Sequence, residues 1–298
     1  MATASKRVFR KAGPIGIAIA AIAAIVALSA TAVVAAGTDF SVRGGDGGGA
    51  GLNCPRGMVR LGHVFDATAS VFPGDPAPSV TIVATIADNG FLVEEVKTGT
   101  HTGTHLDAPG HFITGGRTVD DLAATDFVWP VYVVDVQARL AGPGADDFQL
   151  SVADIRQYER QNGKIAKGSL VVLRTGFDQK FRTPAFNDPA PGFSGAAVQW
   201  MVDKRNIGGL GSDTFGPDAT SDADFNATYT ILNNNRVAVT GLNNLASLQV
   251  KGDVMIAPAV ALRDGSGYQV DPLGCLGRNA RNDGDNDYHQ PNGRNDDD

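Results

Sequence analysis

A group of histidines in residues 98–112 carries the side chains best suited to chemistry in this sequence. The chain has only five histidines, and His101, His105 and His111 fall within eleven consecutive residues, with Asp107 between them. Two imidazoles and a carboxylate that converge on one point suit Zn²⁺ or Mn²⁺, and three protein ligands leave a coordination position open for water or substrate. We therefore predict a metal site made by His101, His105 and Asp107, with His111 as the nearby base.

The local sequence favours an irregular loop that leaves a strand, rather than a helix. Gly103 and Pro109 both disfavour a continuous helix. Asp107 follows His105 by two positions, so in an extended segment the two side chains point to the same side. Thr102 stands where the helical zinc-protease motif has its glutamate, so this motif is not the one present. A lone histidine pair is weak evidence, but three histidines and an aspartate held by glycine and proline indicate a site.

Short apolar runs predict the strands that must position this loop. The run at residues 128–136 contains Pro130, which suggests an edge strand because proline cannot donate a hydrogen bond to a neighbouring strand. Strands are predicted at residues 80–87 and 91–96, before the histidines, and at 128–136, 170–175, 207–211, 237–242 and 254–262.

Two helices are predicted from capping residues and apolar spacing. Ser151 is a good N-cap for residues 151–160, with Asp154 at the third helical position as a variant of the capping box. Ser194 can cap a second helix, residues 195–205, which carries an apolar stripe. Strands mixed with few helices predict an α/β or α+β domain. The sequence contains neither a dinucleotide-binding glycine motif nor a P-loop, so nucleotide binding is not predicted.

The ends of the chain differ in composition from its middle. Residues 1–36 have a basic start and a long apolar run that ends in small residues, which predicts a secretory signal, or an uncleaved signal anchor. Residues 37–52 are a glycine-rich linker, and residues 277–298 form an Asn/Asp-rich tail that we expect to be disordered. One domain, residues 53–276, lies between them.

Export and charge restrict the classes of partner. Removal of residues 1–36 with their four basic side chains would change the formal charge from −7 to −11. An acidic exported protein is a poor candidate for binding nucleic acid or an anionic membrane surface. Cys54 and Cys275, the only cysteines, lie near the two ends of the domain, and in an oxidising compartment they can form a disulfide. Two unpaired buried thiols are the alternative.

The histidine segment and several other motifs resemble one known family. The sequence His-Thr-Gly-Thr-His-Leu-Asp-Ala-Pro-Gly-His at residues 101–111 resembles the signature of the cyclase-like metal-dependent hydrolases, which include bacterial kynurenine formamidase and isatin hydrolase. Further segments resemble the family's motifs in the same order, at residues 61–63, 72–76, 168–176, 191–193 and 211–214. The resemblance extends from about residue 59 to residue 265.

The resemblance implies a swivelling β/β/α domain, an α/β fold with a β-barrel-like core flanked by helices, and a homodimer. By the same resemblance His101, His105 and Asp107 are the metal ligands and His111 is the catalytic acid/base. At the other matching positions it implies that Phe72 lines the substrate pocket, that His63 binds near it, and that Asp213 is a carboxylate that supports the site. For His63 and Asp213, ordinary structural roles are the alternatives.

The sequence departs from the formamidases of this family at two positions. Thr228 and Thr240 align with a histidine and a glutamate that complete a binuclear zinc site in those enzymes. A threonine hydroxyl is a poor metal ligand beside imidazole or carboxylate. We therefore expect one divalent metal ion, Zn or Mn, rather than two.

Together these features predict an exported metal-dependent amidohydrolase. Metal-activated water would cleave a C–N bond of a small amide, formamide or lactam, with His111 as acid/base. Two alternatives stay open at this point. One is a dehydratase, cyclase or lactonase that uses the same metal site, and the other is a catalytically degenerate exported small-molecule-binding protein on the same fold.

Overall fold

The computed structural model describes residues 54–142 and 145–278. The predicted signal, the glycine-rich linker and residues 279–298 of the predicted tail lie outside the described residues. Strands are numbered in chain order as β1 (Met58–Arg60), β2 (Ser79–Ala84), β3 (Val93–Lys97), β4 (His105–Asp107), β5 (Val128–Asp135), β6 (Gln149–Leu150), β7 (Leu170–Arg174), β8 (Gly192–Phe193), β9 (Gly209–Ser212), β10 (Val237–Thr240), β11 (Lys251–Ile256), β12 (Gly267–Gln269) and β13 (Leu273–Cys275).

Nine of these strands form one curled sheet in the order β1-β13-β11-β5-β7-β9-β10-β4-β12. The central strands β5, β7, β9 and β10 run parallel, and β4 joins this group antiparallel to β10. Strands β2 and β3 form a separate hairpin, and β6 pairs only with β8. The sheet curls into a half barrel flanked by a few helices, which confirms the predicted fold class.

Both faces of the central strands are buried. In β7, Leu170 and Val172 belong to the apolar core inside the curl, whereas Val171 and Leu173 belong to the core beneath the helices. Alternate residues of a strand point to opposite faces, so an uninterrupted apolar run is what a strand covered on both sides requires. This arrangement fixes β10, the strand with which His105 and Asp107 of β4 pair.

The helices are α1 (Ile86–Asn89), α2 (Val152–Asn162), α3 (Gly195–Arg205) and α4 (Asn226–Asn233). Ser151 caps α2 in a capping box with Asp154, and Ser194 caps α3, as predicted. None of the helices in the part of the chain that the structure describes is long and apolar enough to cross a membrane.

The predicted edge position of Pro130 is wrong. Strand β5 lies between β11 and β7 in the interior of the sheet. Its pairing with β7 starts only at Val131, so at Pro130 the strand has a neighbour on one side, β11. The predicted strand at residues 80–87 is also shorter than expected, because Thr85 caps the short helix α1 and ends β2 at Ala84.

A disulfide between Cys54 and Cys275 confirms the predicted pairing. It joins residues that are 221 positions apart and fastens the start of the domain to β13. We expect that replacing both cysteines by serine lowers the free energy of unfolding by about 3–5 kcal/mol, because the bond restricts the unfolded chain. Urea denaturation of the variant and of the oxidised and reduced parent protein measures this. An unchanged denaturation midpoint in all three samples would contradict it.

Candidate metal centre

The four predicted site residues come together at one edge of the sheet. His101 lies in the turn after β3, His105 and Asp107 are the first and last residues of β4, and His111 ends the 3₁₀ turn Pro109–His111. Strand β4 is held between β10 and β12, so its two outer residues are fixed by pairing on both sides. His105 and Asp107 share one face of this extended strand, as predicted from their spacing.

Asp107 is the centre of the cluster. Its Oδ1 lies 2.8 Å from Nδ1 of His101 and 3.2 Å from Nε2 of His105. The rings of His101 and His111 are stacked, with centroids 3.8 Å apart. One ligand atom from each of His101, Asp107 and His111 lies within 4.8 Å of the others. The site therefore offers imidazole nitrogens and a carboxylate oxygen close enough together to hold one ion.

The donor set fits a divalent transition metal. Nitrogen and carboxylate donors suit Zn²⁺ and Mn²⁺. Nδ1 of His105 donates a hydrogen bond to the Gly103 carbonyl (2.9 Å), so its Nε2, which is directed towards Asp107, is the nitrogen that could bind a metal. Metal-binding histidines commonly show this arrangement. The three residues whose ligand atoms all lie within 4.8 Å of one another include His111 in place of His105. The ligand role of His105 and the acid/base role of His111 stay predictions.

The electrostatics of the cluster follow from burial and charge. Burial would raise the pKa of Asp107, but His105 and His101 hold it far below its usual value. Burial would lower the pKa of His105, but the Asp107 carboxylate beside it raises that pKa overall. Desolvation lowers the pKa of His111 against the opposing effect of Asp107, so its ring is neutral near pH 7. Asp75 adds negative charge that raises the pKa of both His105 and His111.

Strand β12 positions the histidine loop through residues that the sequence analysis missed. Oγ of Ser266, just before β12, lies 2.9 Å from Nε2 of His101. The side chain of Gln269 donates to the carbonyl oxygens of Gly99 (2.6 Å) and Thr102 (3.3 Å). The segment Asp-Gly-Ser-Gly before Tyr268 has the composition of a linker, so no local signal distinguishes it.

Gly267 in β12 leaves the space that the ring of His101 occupies. A Cβ added there would lie 2.5 Å from Cε1 of His101 and 2.6 Å from the carbonyl oxygen of Leu106. We expect Gly267→Ala to displace His101 and weaken metal binding about 10–100-fold, as changes around metal ligands commonly do. Competition with a chelator measures this, and Gly142→Ala, where an added Cβ meets nothing within 4 Å, is the control for a glycine change in open space. Equal metal affinity in Gly267→Ala and the parent protein would contradict the prediction.

Thr240 and Thr228 lie at different distances from the cluster. Oγ1 of Thr240, the last residue of β10, is 3.3 Å from Nε2 of His105. The hydroxyl of Thr228 in α4 donates to the buried carboxylate of Asp218, which also accepts the backbone N–H of Ala227. Thr240 therefore faces the site directly, whereas the hydroxyl of Thr228 bonds to a carboxylate that caps α4.

A chain of aromatic rings adjoins the histidine loop. Exposed Phe72 contacts Phe215 edge to face (5.8 Å between centroids), and Phe215 contacts Phe186 at 4.4 Å. Phe186 contacts Phe181 at 5.3 Å, and Phe181 stacks on His63 at 3.7 Å. Of these five residues, only Phe72 and His63 were predicted from the sequence to lie near the site. The other three rings come from loops after β7 and β9, which sequence distance separates from the histidines.

We call this chain of rings the aromatic wall; it consists of His63, Phe72, Phe181, Phe186 and Phe215. His63 connects it to the histidine loop. Its backbone N–H donates to Oγ1 of Thr104 (2.9 Å), and its Nε2 is buried without a hydrogen-bond partner among the described residues. Burial, with a smaller effect of Arg182, lowers the pKa of His63 to about 4, so its ring is neutral at physiological pH. An unpaired buried nitrogen is costly unless a ligand satisfies it. A role in substrate binding stays a prediction that this geometry supports.

Asp213 fixes the turn after β7. Its carboxylate accepts hydrogen bonds from the backbone N–H groups of Thr175 and Gly176 and from Oγ1 of Thr175, at 2.6–3.0 Å. Burial raises its pKa to about 6, against the effect of these bonds. The contacts place Asp213 in the loop framework that carries Phe177 and Phe181, and its support of the metal centre stays a prediction.

Comparison with known proteins adds independent information. The Cyclase family model matches residues 59–219. An isatin hydrolase of Roseibium aggregatum is 32% identical over 194 residues, which cover 60% of this chain and 72% of that protein. A kynurenine formamidase of Bacillus cytotoxicus is 27% identical over 218 residues, which cover 71% of this chain and 94% of that protein.

A solved structure shows the same fold. The crystal structure of an isatin hydrolase bound to the product analogue thioisatinate superposes with a TM-score of 0.68 at 26% sequence identity. The superposition covers 74% of this chain and 92% of the isatin hydrolase.

Proposed function

This chain belongs to the Cyclase family and is a hydrolase of that family, and from this premise we propose that it is an exported metal-dependent amidohydrolase. Its substrate is a small aromatic lactam, amide or formamide, of which one C–N bond is cleaved. The observation that carries the proposal is the cluster of His101, His105, Asp107 and His111, in which the three histidines surround one buried carboxylate.

The division of roles follows from the positions of the side chains. His101, His105 and Asp107 would hold one divalent ion, Zn or Mn, because Asp107 lies within 3.2 Å of both imidazoles. Such an ion supplies Lewis-acid chemistry, which polarises a carbonyl group and acidifies water. His111 is the exposed member of the cluster, and its lowered pKa keeps a ring nitrogen free to accept a proton near pH 7. His111 would accept the proton that the attacking water loses as its oxygen bonds to the carbonyl carbon. It would then give this proton to the nitrogen as the C–N bond breaks.

The aromatic wall selects the substrate class. Phe72, Phe215 and Phe181 offer ring faces and edges beside the histidine loop, and aromatic pairs of this geometry add about 0.5–1.5 kcal/mol each beyond burial. His63 offers one unpaired ring nitrogen to a polar group of the substrate. A flat bicyclic lactam or an aryl formamide carries both features. The two relatives are named for isatin and kynurenine, and these names support the same substrate class.

A substrate series tests the proposal. The protein is loaded with Zn²⁺ or Mn²⁺ and supplied with isatin, with N-formylkynurenine and with an aryl lactone that has the ring size of isatin. We expect hydrolysis of one or both C–N substrates, with kcat/KM at least tenfold above that for the lactone. Faster lactone opening would favour the lactonase alternative. Stoichiometric binding of a substrate without turnover would favour the degenerate binding protein.

Export is supported by the disulfide. Disulfides form and persist in oxidising compartments, and Cys54–Cys275 is one such bond. We propose secretion directed by residues 1–36, with membrane attachment only where this segment is retained. Fractionation of expressing cells, followed by mass determination of the exported chain, tests cleavage. Recovery of the intact chain in the cytosol alone would reject export.

We also propose that the protein is a homodimer joined through the β2–β3 hairpin. A two-stranded hairpin is marginal by itself, and this one exposes apolar side chains on both strands. At roughly half exposure, the eight large apolar side chains of the hairpin and its connection present an accessible area on the order of 700 Å². This is close to the ~800 Å² of surface that each partner buries in a standard interface. The large apolar side chains, all between 42% and 69% exposed, are Val80, Ile82, Val83, Ile86, Phe91, Leu92, Val93 and Val96.

The double variant Ile82→Lys/Phe91→Lys is expected to be a monomer, because charged side chains in the hairpin surface cannot be buried against a second copy. Both residues are more than half exposed in one chain, so the fold tolerates the change. Val260→Lys, at a residue 64% exposed outside the hairpin, is the matched control and is expected to stay dimeric. Light scattering after size exclusion gives the masses. A monomeric parent protein at micromolar concentration would contradict the proposal.

A further inference from the structure

A basic cavity lies where three parallel strands of the sheet begin. It has a volume of about 220 Å³ and is lined by the residues that precede or begin the parallel strands, including Gly168 before β7, Gly208 before β9 and Val237 of β10. His105 pairs with Thr240, at the other end of β10 from Val237, whereas Asp107 pairs with Ala238, the neighbour of Val237. None of His101, His105, Asp107 and His111 lines the cavity, so its lining is distinct from the histidine cluster.

The charged lining of the basic cavity is mostly positive. Three cationic side chains, Arg117, Lys167 and Arg236, line it together with one carboxylate, Asp126. Asp126 is already paired with Arg117, with 2.7 Å between Nη1 and Oδ2. This excess of positive charge is local, because the chain as a whole carries a formal charge of −7.

Two of the three cations have no acidic partner. Within residues 54–142 and 145–278, Arg236 forms no ion pair, and its Nη2 donates to the neutral amide oxygen of Asn206. Its Nε is buried without a hydrogen-bond partner. Lys167 is exposed at the rim and forms no ion pair in the same part of the chain. A partly buried guanidinium group without an acidic partner is costly, and an anion in the cavity would compensate its charge.

The two arginines are also held close to each other. Nε and Nη2 of Arg117 donate to the side-chain and backbone oxygens of Asn235, the residue before Arg236. Burial and the positive charge of Arg117 lower the pKa of Arg236. Like charges fixed side by side repel each other, and a bound anion between them removes that repulsion. The planar donor forks of arginine match the geometry of carboxylate and phosphate oxygens.

We propose that the basic cavity is a binding site for a small oxyanion, a carboxylate or a phosphate. The volume accommodates such an anion and several waters, each of which takes up roughly 30 Å³. The Arg117 carbonyl accepts the backbone N–H of Gly110 (2.8 Å), next to His111. One backbone hydrogen bond therefore connects the lining of the cavity to the turn that carries His111.

Anion titration of the full chain tests this site. Inorganic phosphate, sulfate, acetate and succinate are titrated by calorimetry at constant ionic strength, with chloride as the reference anion. We expect phosphate or one of the carboxylates to bind with a dissociation constant of about 1 mM or lower. Arg236→Gln is expected to weaken this binding at least tenfold and Lys167→Gln at least threefold. The anion that binds most tightly identifies the source of the oxyanion.

Control variants separate this cavity from other sites. Arg160→Gln removes an exposed cation of α2 outside the cavity and is expected to bind the anion as the parent protein does. His101→Ala is expected to retain anion binding, whereas phosphate bound to an active-site metal would be lost in that variant. Lys167→Gln is at an exposed position and preserves the fold even if Arg236→Gln does not. The proposal would be overturned if Lys167→Gln bound the anion as tightly as the parent protein does. It would also be overturned if His101→Ala lost anion binding, or if the parent protein bound no anion at about 10 mM.

Discussion

His101→Ala is expected to lose both its bound metal and its hydrolytic activity. The ring of His101 lies 2.8 Å from Asp107 on one side and 2.9 Å from Ser266 on the other, so its removal takes an imidazole from the centre of the cluster. We expect kcat/KM to fall at least about 10³-fold, which corresponds to about 4 kcal/mol of lost transition-state stabilisation. Metal per chain after dialysis and kcat/KM for the best substrate are the two measurements.

Asp107→Asn is the companion variant for this prediction. It keeps the shape of the side chain but removes the negative charge that raises the pKa of His105 and His111. We expect it to lose the metal as His101→Ala does, while the disulfide-bonded fold is retained. Full metal content and unchanged turnover in either variant would exclude this cluster as the metal centre.

His111→Ala is expected to keep its metal and lose most of its turnover. Its ring stacks on His101 at the exposed side of the cluster, where it can reach both water and substrate. General acid/base catalysis contributes about 10²–10⁴-fold, so kcat is expected to fall by that factor with little change in KM. Steady-state kinetics and metal analysis of the same preparation provide the comparison.

The metal content of His111→Ala decides between two roles for this residue. Because a nitrogen of His111 lies within 4.8 Å of ligand atoms of His101 and Asp107, it is also in a position to coordinate an ion. Retained metal with lost turnover supports the acid/base role. Lost metal would show that His111 is a ligand, and full activity would show that the proton is carried by another group.

Some of the fold was predictable because its signals are local. Ser151 with Asp154, and Ser194, satisfy N–H groups at the starts of α2 and α3, and each signal lies within four residues of sequence. Three-residue strands such as β4 and β12 were not predicted, because they have no room for a periodic pattern. The position of Pro130 was wrong because the neighbours of a strand in the sheet are set by distant segments.

The functional site was likewise predictable only where its residues lie close together in the sequence. His101, His105, Asp107 and His111 lie in one short segment and could be identified together from the sequence. Ser266 and Gly267 approach His101 only through the pairing of β12 with β4, about 165 residues away in the chain. The rings of Phe181, Phe186 and Phe215 likewise reach His63 and Phe72 through folded loops, and isolated phenylalanines in a sequence predict only burial.

Metal content per chain, measured by elemental analysis together with turnover, is the most direct test of the central claim. The parent protein is reconstituted with Zn²⁺ or Mn²⁺, dialysed, and assayed with isatin and N-formylkynurenine. We predict about one ion per chain and hydrolysis of at least one substrate, both abolished in His101→Ala. Two ions per chain would show that Thr228 and Thr240 do not prevent a second metal site. No retained metal and no turnover would contradict the assignment of this protein as a metal-dependent amidohydrolase.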